Sequence, residues 1–374
     1  MDYGADPRGK LDSTSAIQNA CNKNKHVYMP AGIYRISSLV IAGSVTLQGS
    51  GNNTTIIKTT ELTGNVLTFK GDGWRVTDVK FDAVANRTGG AFIYSSSDYA
   101  SIQNVSFNRQ YIGIDLDGSW TVDIQNIIAF DGTPDDEAPG GAVIRLGKNA
   151  YTGPVHIRGL SAKPSDATRQ PSSGITMGWV DVVSISDALI IWHKKNIVIS
   201  PTGNQFAALI EVTNSCFDTA ENGMYVKPTN GARVLRCGFT NTWFGAHQSG
   251  DGMIIDGSEG SITGLQFNNC MFMHNRGNGI SIFGEKTNGV YFSNCFSSAN
   301  LGNGLDVRQK SKNVVWLGGA IGASHEGSGN AMYGYYVEPD CTGNIMCALL
   351  TGNSLGVTND STNAFRTLGN TLEE

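Results

Sequence analysis

Asn222-Gly-Met-Tyr-Val226, Asp251-Gly-Met-Ile-Ile255, Asn278-Gly-Ile-Ser-Ile282, Asn303-Gly-Leu-Asp-Val307 and Tyr333-Gly-Tyr-Tyr-Val337 are five versions of one phrase. Their glycines fall at 223, 252, 279, 304 and 334, at spacings of 29, 27, 25 and 30. A period in this range is the mark of a repeat architecture. After each glycine the residues alternate. Met224 and Val226, Met253 and Ile255, Ile280 and Ile282, Leu305 and Val307 form an apolar set, with mixed residues between them. Alternation with period two is a strand with one buried face.

Each phrase is followed by a second short apolar run, as in Arg233-Val-Leu-Arg-Cys-Gly-Phe239, Gly264-Leu-Gln-Phe-Asn-Asn-Cys-Met-Phe272 and Gly289-Val-Tyr-Phe-Ser-Asn-Cys-Phe296. One repeat is therefore two or three strands of about five residues joined by turns. A strand that returns every 25 to 30 residues can stack parallel on its predecessor. The fold predicted is all-β: a single-stranded right-handed parallel β-helix, a solenoid whose coils bury their apolar faces against neighbours. Twelve or thirteen coils are expected. They divide into an N-terminal capping segment over 1–36, a solenoid over 37–350, and a last coil with a polar tail over 351–374.

Composition agrees. Glycine makes up 47 of 374 residues, above the usual ~7%, as tight turns in every coil require. The net charge is −5 and no Lys/Arg run occurs, which argues against nucleic acid as a partner. No apolar run reaches the ~18 residues of a membrane span, so no membrane insertion is expected. The seven cysteines form no CxxC pair. Cys216, Cys237, Cys270 and Cys295 read as an internal stack of small buried side chains. No HExxH, P-loop or paired Cys/His set occurs, so neither metal nor cofactor is expected.

At the N-terminus, Gly4-Ala5, Asp12-Ser-Thr14, Ala16-Ile-Gln18 and Val27-Tyr-Met-Pro-Ala-Gly-Ile-Tyr34 follow one another, with Asp12 or Ser13 placed to cap a short helix. These segments resemble the opening module of the pectate-lyase-like β-helix superfamily, common in bacteriophage tailspikes and capsule depolymerases. Pro7-Arg-Gly-Lys10 replaces the commoner Gly-Asp-Gly, and Ser13 a commoner Asp. The resemblance implies a virion-tail protein that binds a bacterial O-antigen or capsular polysaccharide outside the cell. It also implies a parallel homotrimer, joined to the tail through a part absent from this chain. Trimer contacts would cover outward apolar residues such as Tyr225, Ile254, Phe283, Tyr335 and Tyr336. Related proteins often use two or three carboxylates on consecutive coils.

Two polar, Pro-rich inserts, 131–140 and 162–173, read as surface loops. The densest polar and aromatic patch runs from Trp179 to Asp256. Sugar rings offer apolar faces to aromatic side chains and hydroxyl rims to carboxylates and amides. Glycoside hydrolysis needs two carboxyls, ~5–5.5 Å apart for retention or ~6.5–9.5 Å for inversion. The catalytic candidates are Glu211, Asp218, Glu221 and Asp181. Glu211 interrupts the apolar strand Ala207-Ala-Leu-Ile-Glu-Val212, and an acid in such surroundings has its pKa raised. The substrate-binding candidates are Trp179, Trp192, His193, Lys227, Arg236, Trp243, His247 and Asp251. A polysaccharide lyase is the alternative, with Lys227, Arg233, Arg236 or His247 as base or carboxylate clamp. A binding-only adhesin is the third reading.

Overall fold

The computed structural model describes residues 3–323, 328–356 and, as backbone, 365–367. The chain divides into two compact units, residues 1–176 and 177–374. Both are right-handed parallel β-solenoids, and the fold has about 13 turns in all. Each coil contributes strands to two parallel sheets, one of longer and one of shorter strands.

In the first unit the only helix among the described residues, Thr14–Lys23, buries Ile17, Ala20 and Cys21. Ser13 stands at its N-cap without a capping side-chain bond. Its hydroxyl accepts the Asp6 N–H instead, while the Asp12 carboxylate takes the Thr14 N–H at 2.8 Å. Asp6, from the opening motif, collects the N–H groups of Arg8, Lys10 and Leu11. Those donors and the Arg8 guanidinium, the largest contributor, hold its carboxyl well below the usual carboxylate range.

Above the helix, stacking keeps like on like. Val76, Ile102, Ile124 and Ile157 pair in register on successive coils, and each is at most 2% exposed. The inserts do not hang free. Pro134 and Pro171 form an antiparallel bridge, and the Asn86 amide donates to Glu137 while Arg169 donates to Asn86. Ser172 binds Asp135 and accepts the Gly140 and Gly141 N–H groups.

In the second unit the recurrent phrase is explained by a side-chain ladder. Asn222 Oδ1 accepts the N–H of Asp251, Asp251 Oδ1 that of Asn278, Asn278 Oδ1 that of Asn303, and Asn303 Oδ1 that of Tyr333. The Asx residue thus closes each coil onto the next. The glycine after it leaves room for the coil above: a Cβ on Gly223 would run into the His247 imidazole. A second ladder runs inside the wall through Asn275, Asn300, Asn330 and Asn353, each 28–33 residues from the carbonyl it secures across the coils.

The core is filled by stacked rings. Phe239, Phe267, Phe292 and Trp316 stack with centroids 4.7–5.0 Å apart, and Phe244 stacks on Phe272 at 5.3 Å. Strand spacing of ~4.8 Å sets that distance. The expected four-cysteine stack shrinks to two. Cys270 and Cys295 share a column, whereas Cys237 stands one corner earlier and Cys216 points outward. Tyr335 also departs from expectation. It pairs with Leu305 on the inward face and is 5% exposed, so it offers nothing to a partner.

Corners between strands are made by residues in the left-handed region. Asn214, Asn241, Asn269 and Asn294 occupy one such column, with φ of +50 to +53. Their amides hydrogen bond along it, as from Asn269 to Asn241 at 2.8 Å. Asn tolerates this conformation better than other non-glycine residues.

Candidate active site

Three of the four catalytic candidates lie on one coil. Glu211 is in strand Phe206–Thr213, Asp218 in Cys216–Asp218, and Glu221 follows before Asn222–Val226. Corners at Asn214 and Thr219 separate them. The expected carboxylate pair by coil stacking is therefore absent. Asp181 faces Ala208 on the next coil; Glu211 faces Ser184 below and Gly238 above; Asp218 faces Ile191 below and Gly245 above. No two of the four share a column.

The structure assembles a different group around Asp218. Cys216 and Asp218 pair with Trp243 and Gly245 on the next coil, and these with Met271 and Met273 on the one after. The indole of Trp243 leans across Gly245. A Cβ on that glycine would lie 2.6 Å from the Trp243 Cε2 and Cζ2 atoms. Only glycine lets the ring lie flat there, with its nitrogen edge toward the Asp218 column. His274, directly after Met273, is exposed and its ring centroid is 6.3 Å from that of Trp243. Asp218 and His274 are thus two coils apart, roughly 10 Å at ~4.8 Å per strand, with an aromatic floor between them.

Half-burial raises the Asp218 carboxyl pKa. The neighbouring Thr219 and Trp243 donors and the charge of His274 pull in the opposite direction without overcoming it. Burial also raises Glu211, whose side chain lies against Gly238. A carboxyl whose pKa is raised is better matched to giving up a proton as a general acid. His274 was not among the residues picked from sequence. The signal was present: Thr219, Ala246 and His274 are 27 and 28 residues apart, within the 25–30 range of the glycine phrases.

The other candidates are dispersed. Trp179 packs edge-on against Phe206 at 6.4 Å. Trp192 occupies the Thr219 corner column one coil below, with φ +59, and Arg236 an exposed corner with φ +54. Lys227 is held by Asp256 at 3.0 Å and Glu259 at 3.5 Å. Asp251 is a rung of the Asx ladder and also accepts the Ser281 hydroxyl at 2.6 Å. It belongs to a closed network with Asn278, Asp306 and Arg308, in which Arg308 grips both Asp306 oxygens. Asp251 is therefore corrected from substrate binding to structure.

His193 and His247 are corrected as well. Each is 1% exposed, inside the wall. His193 Nδ1 contacts the Ile191 carbonyl, and His247 Nδ1 accepts the Ala220 N–H, so His247 is neutral with its proton on Nε2. Burial pushes their pKa values down to about 4 and about 3. An unfolded His titrates near 6.5, so below that pH the unfolded state binds more protons. Stability is then lost at about 1.4 kcal/mol per pH unit per histidine until the folded pKa is reached. Denaturant midpoints should fall between pH 6.5 and 4, and the slope should shrink in His247→Asn, which extends the asparagine column. An unchanged slope would refute the assignment.

Among the described residues no group of three or more His, Cys, Asp or Glu could hold a metal ion. No described helix is long and apolar enough to cross a membrane. Residues 1–161 match the family model described as rhamnogalacturonase A/epimerase, pectate lyase-like. No curated protein matches the sequence. Among solved structures, the tailspike protein of E. coli bacteriophage HK620 in complex with pentasaccharide is similar, with TM-score 0.65 and 10% identity over 96% of this chain and 77% of that one. The Dettilon tailspike protein gives 0.62 and 12% over 96% and 67%. A hyperthermoactive exopolygalacturonase from Thermotoga maritima gives 0.59 and 10% over 81% and 86%. At these identities the likeness establishes the fold.

Proposed function

We propose that this protein is a tailspike-type depolymerase that binds a bacterial surface polysaccharide, O-antigen or capsule, and cleaves it by endo-glycosidic hydrolysis. The observation that carries the reading is the Asp218–Trp243–His274 group. It combines a half-buried carboxyl whose pKa is raised by burial, an aromatic floor for a sugar face, and an imidazole two coils away. Asp218 serves as general acid on the leaving oxygen, and the charge of His274 stabilises the carboxylate that Asp218 becomes as water adds to the sugar and gives its own proton to solvent. Glu211, also raised by burial, stands on the far side of the Asn214 corner and lines the approach. The fold shared with two phage tailspikes supports the setting, at the surface of a virion tail. A parallel homotrimer fits that setting. Its contacts would lie on the longer-strand sheet beyond the site, where Leu317 and Leu349 are 46% and 41% exposed.

The imidazole also favours a second reading, a lyase in which His274 removes the proton beside a uronate carboxylate and Asp218 protonates the leaving group. Incubation with a panel of O-antigen and capsular polysaccharides, followed by product sizing, tests both. Hydrolysis gives shortened products without new ultraviolet absorbance, and elimination gives an absorbing unsaturated end. If no member of the panel is shortened, the enzyme reading is wrong and the binding-only alternative remains.

A further inference from the structure

The first unit carries three aromatic side chains on successive turns, two of them exposed and the third half-buried. Tyr99 lies in the turn between strands Ala91–Ser95 and Ala100–Asn108. Trp120 lies in the next, between Ile112–Leu116 and Val122–Phe130, and Tyr151 in the third, between Ala142–Leu146 and Val155–Ala162. Tyr99 is 65% and Trp120 44% exposed. Tyr151 meets the indole edge-on, with centroids 5.1 Å apart at 73°, which leaves Trp120 as a supported flat ring.

These turns are held rigidly. Trp120 N–H donates to Asp98 Oδ1 at 2.8 Å, Asp98 N–H to Asp72 Oδ1 at 2.9 Å, and Tyr99 N–H to the Trp120 carbonyl at 2.8 Å. Below them the buried hydroxyls of Ser119 and Thr152 tie each turn to its neighbour, Ser119 to the Ser95 carbonyl and Thr152 to the Gly118 N–H. Asp117 fixes the third turn through the N–H groups of Asn149 and Ala150 and the Asn149 amide. Tyr99 holds φ at +58, where an exposed phenol brings no packing in return. An exposed bulky residue in a strained conformation on a rigid base points to use.

We infer that these turns form a carbohydrate-binding platform, a second contact for glycan apart from the cleavage site. The rings supply faces for sugar C–H groups, and Asp72, Asp98, Asp117 and Asn149 supply acceptors and amides for hydroxyl rims. The acidic rim selects the ligand class: neutral or amino sugars, not uronate polymers, nucleic acid or anionic lipid. One flat ring braced at its edge is a platform for a sugar, whereas a quaternary ammonium needs several rings around it.

Binding is measured with the full chain carrying Asp218→Asn, on immobilised bacterial polysaccharides that contain neutral and amino sugars. Trp120→Ala and Tyr99→Ala are expected to weaken retention about tenfold each. Tyr28→Ala, which removes another exposed tyrosine of this unit, is expected to change nothing. Because all three side chains are exposed, unfolding midpoints should match the parent, and a shifted midpoint is checked with Trp120→Phe, which should restore retention. Retention unaffected by Trp120→Ala, displacement by phosphocholine but not by galactosamine oligosaccharides, or no retention of any polysaccharide overturns the platform. Residual cleavage by the Asp218→Asn chain counts against the catalytic assignment alone.

Discussion

Asp218→Asn is expected to slow depolymerisation about 10²–10⁴-fold while leaving polysaccharide binding nearly unchanged. The amide keeps the shape of the side chain in strand Cys216–Asp218 and its contact with the Trp243 indole, but has no proton to give. Glu221→Gln serves as the comparison: it removes a carboxyl from the same coil, beyond the Thr219 corner, and should cost less than tenfold. The pH dependence has a definite sign. Activity requires protonated Asp218, so the rate falls as pH rises through its raised pKa. The charge of His274 lowers that pKa, so removing it by His274→Ala should move the alkaline limb to higher pH as well as reduce the maximum. An Asp218→Asn protein that cleaves at the parent rate, or a limb that stays in place in His274→Ala, would remove Asp218 as the acid.

How far the sequence carried the reading depends on the length scale. The period is legible because stacked coils must return in register, and four Asx-Gly phrases and a Tyr-Gly phrase record it. The inward positions within a phrase, such as Met253 and Ile255, are legible too, and both are fully buried. Alternation fails at the corners. Along 243–247 the chain runs Trp243 outward, Phe244 inward, Gly245 outward, Ala246 at the left-handed corner, and His247 inward. One corner residue resets the phase, and His247 becomes core when simple alternation would keep it at the surface. His193 is inverted by the same effect at the Trp192 corner. A sequence shows no mark of these corners when they carry Trp192, Ala246 or His274, since glycine and asparagine are the residues that advertise such a backbone. The placing of the carboxylates is hidden from the sequence for the same reason. Glu211 and Asp218 are close in sequence, but the Asn214 corner turns them onto different faces. Asp251 looked like a binding residue because a ladder rung and a ligand-binding acid share the same residue type.

The same distinction between inside and outside sets the largest expected loss of stability. Two asparagine columns run through the second unit, and they should differ sharply. Asn300 is 1% exposed. Its Oδ1 accepts the N–H of Asn275 and, at 2.8 Å, the Asn275 amide. Its own amide donates to Asn330 Oδ1 at 2.8 Å and to the Phe272 carbonyl at 3.0 Å. Asn300→Ala strips partners from two donors and two acceptors that water cannot reach. Each orphaned group costs about 1–3 kcal/mol, and shared partners and local relaxation hold the sum to roughly 3–6 kcal/mol. Asn241 also bonds along its column, to Asn214 at 3.3 Å and from Asn269 at 2.8 Å, but it is exposed at a corner where water replaces the lost contacts. Asn241→Ala should cost about 1–2 kcal/mol, chiefly because Ala tolerates φ of +51 less well than Asn. Urea unfolding of the two variants decides the matter. Because neighbouring coils support one another, the loss at Asn300 should also appear as faster proteolysis of the Asn275–Asn330 coils. Equal losses for the two variants would mean that the buried column is not a principal support of the wall.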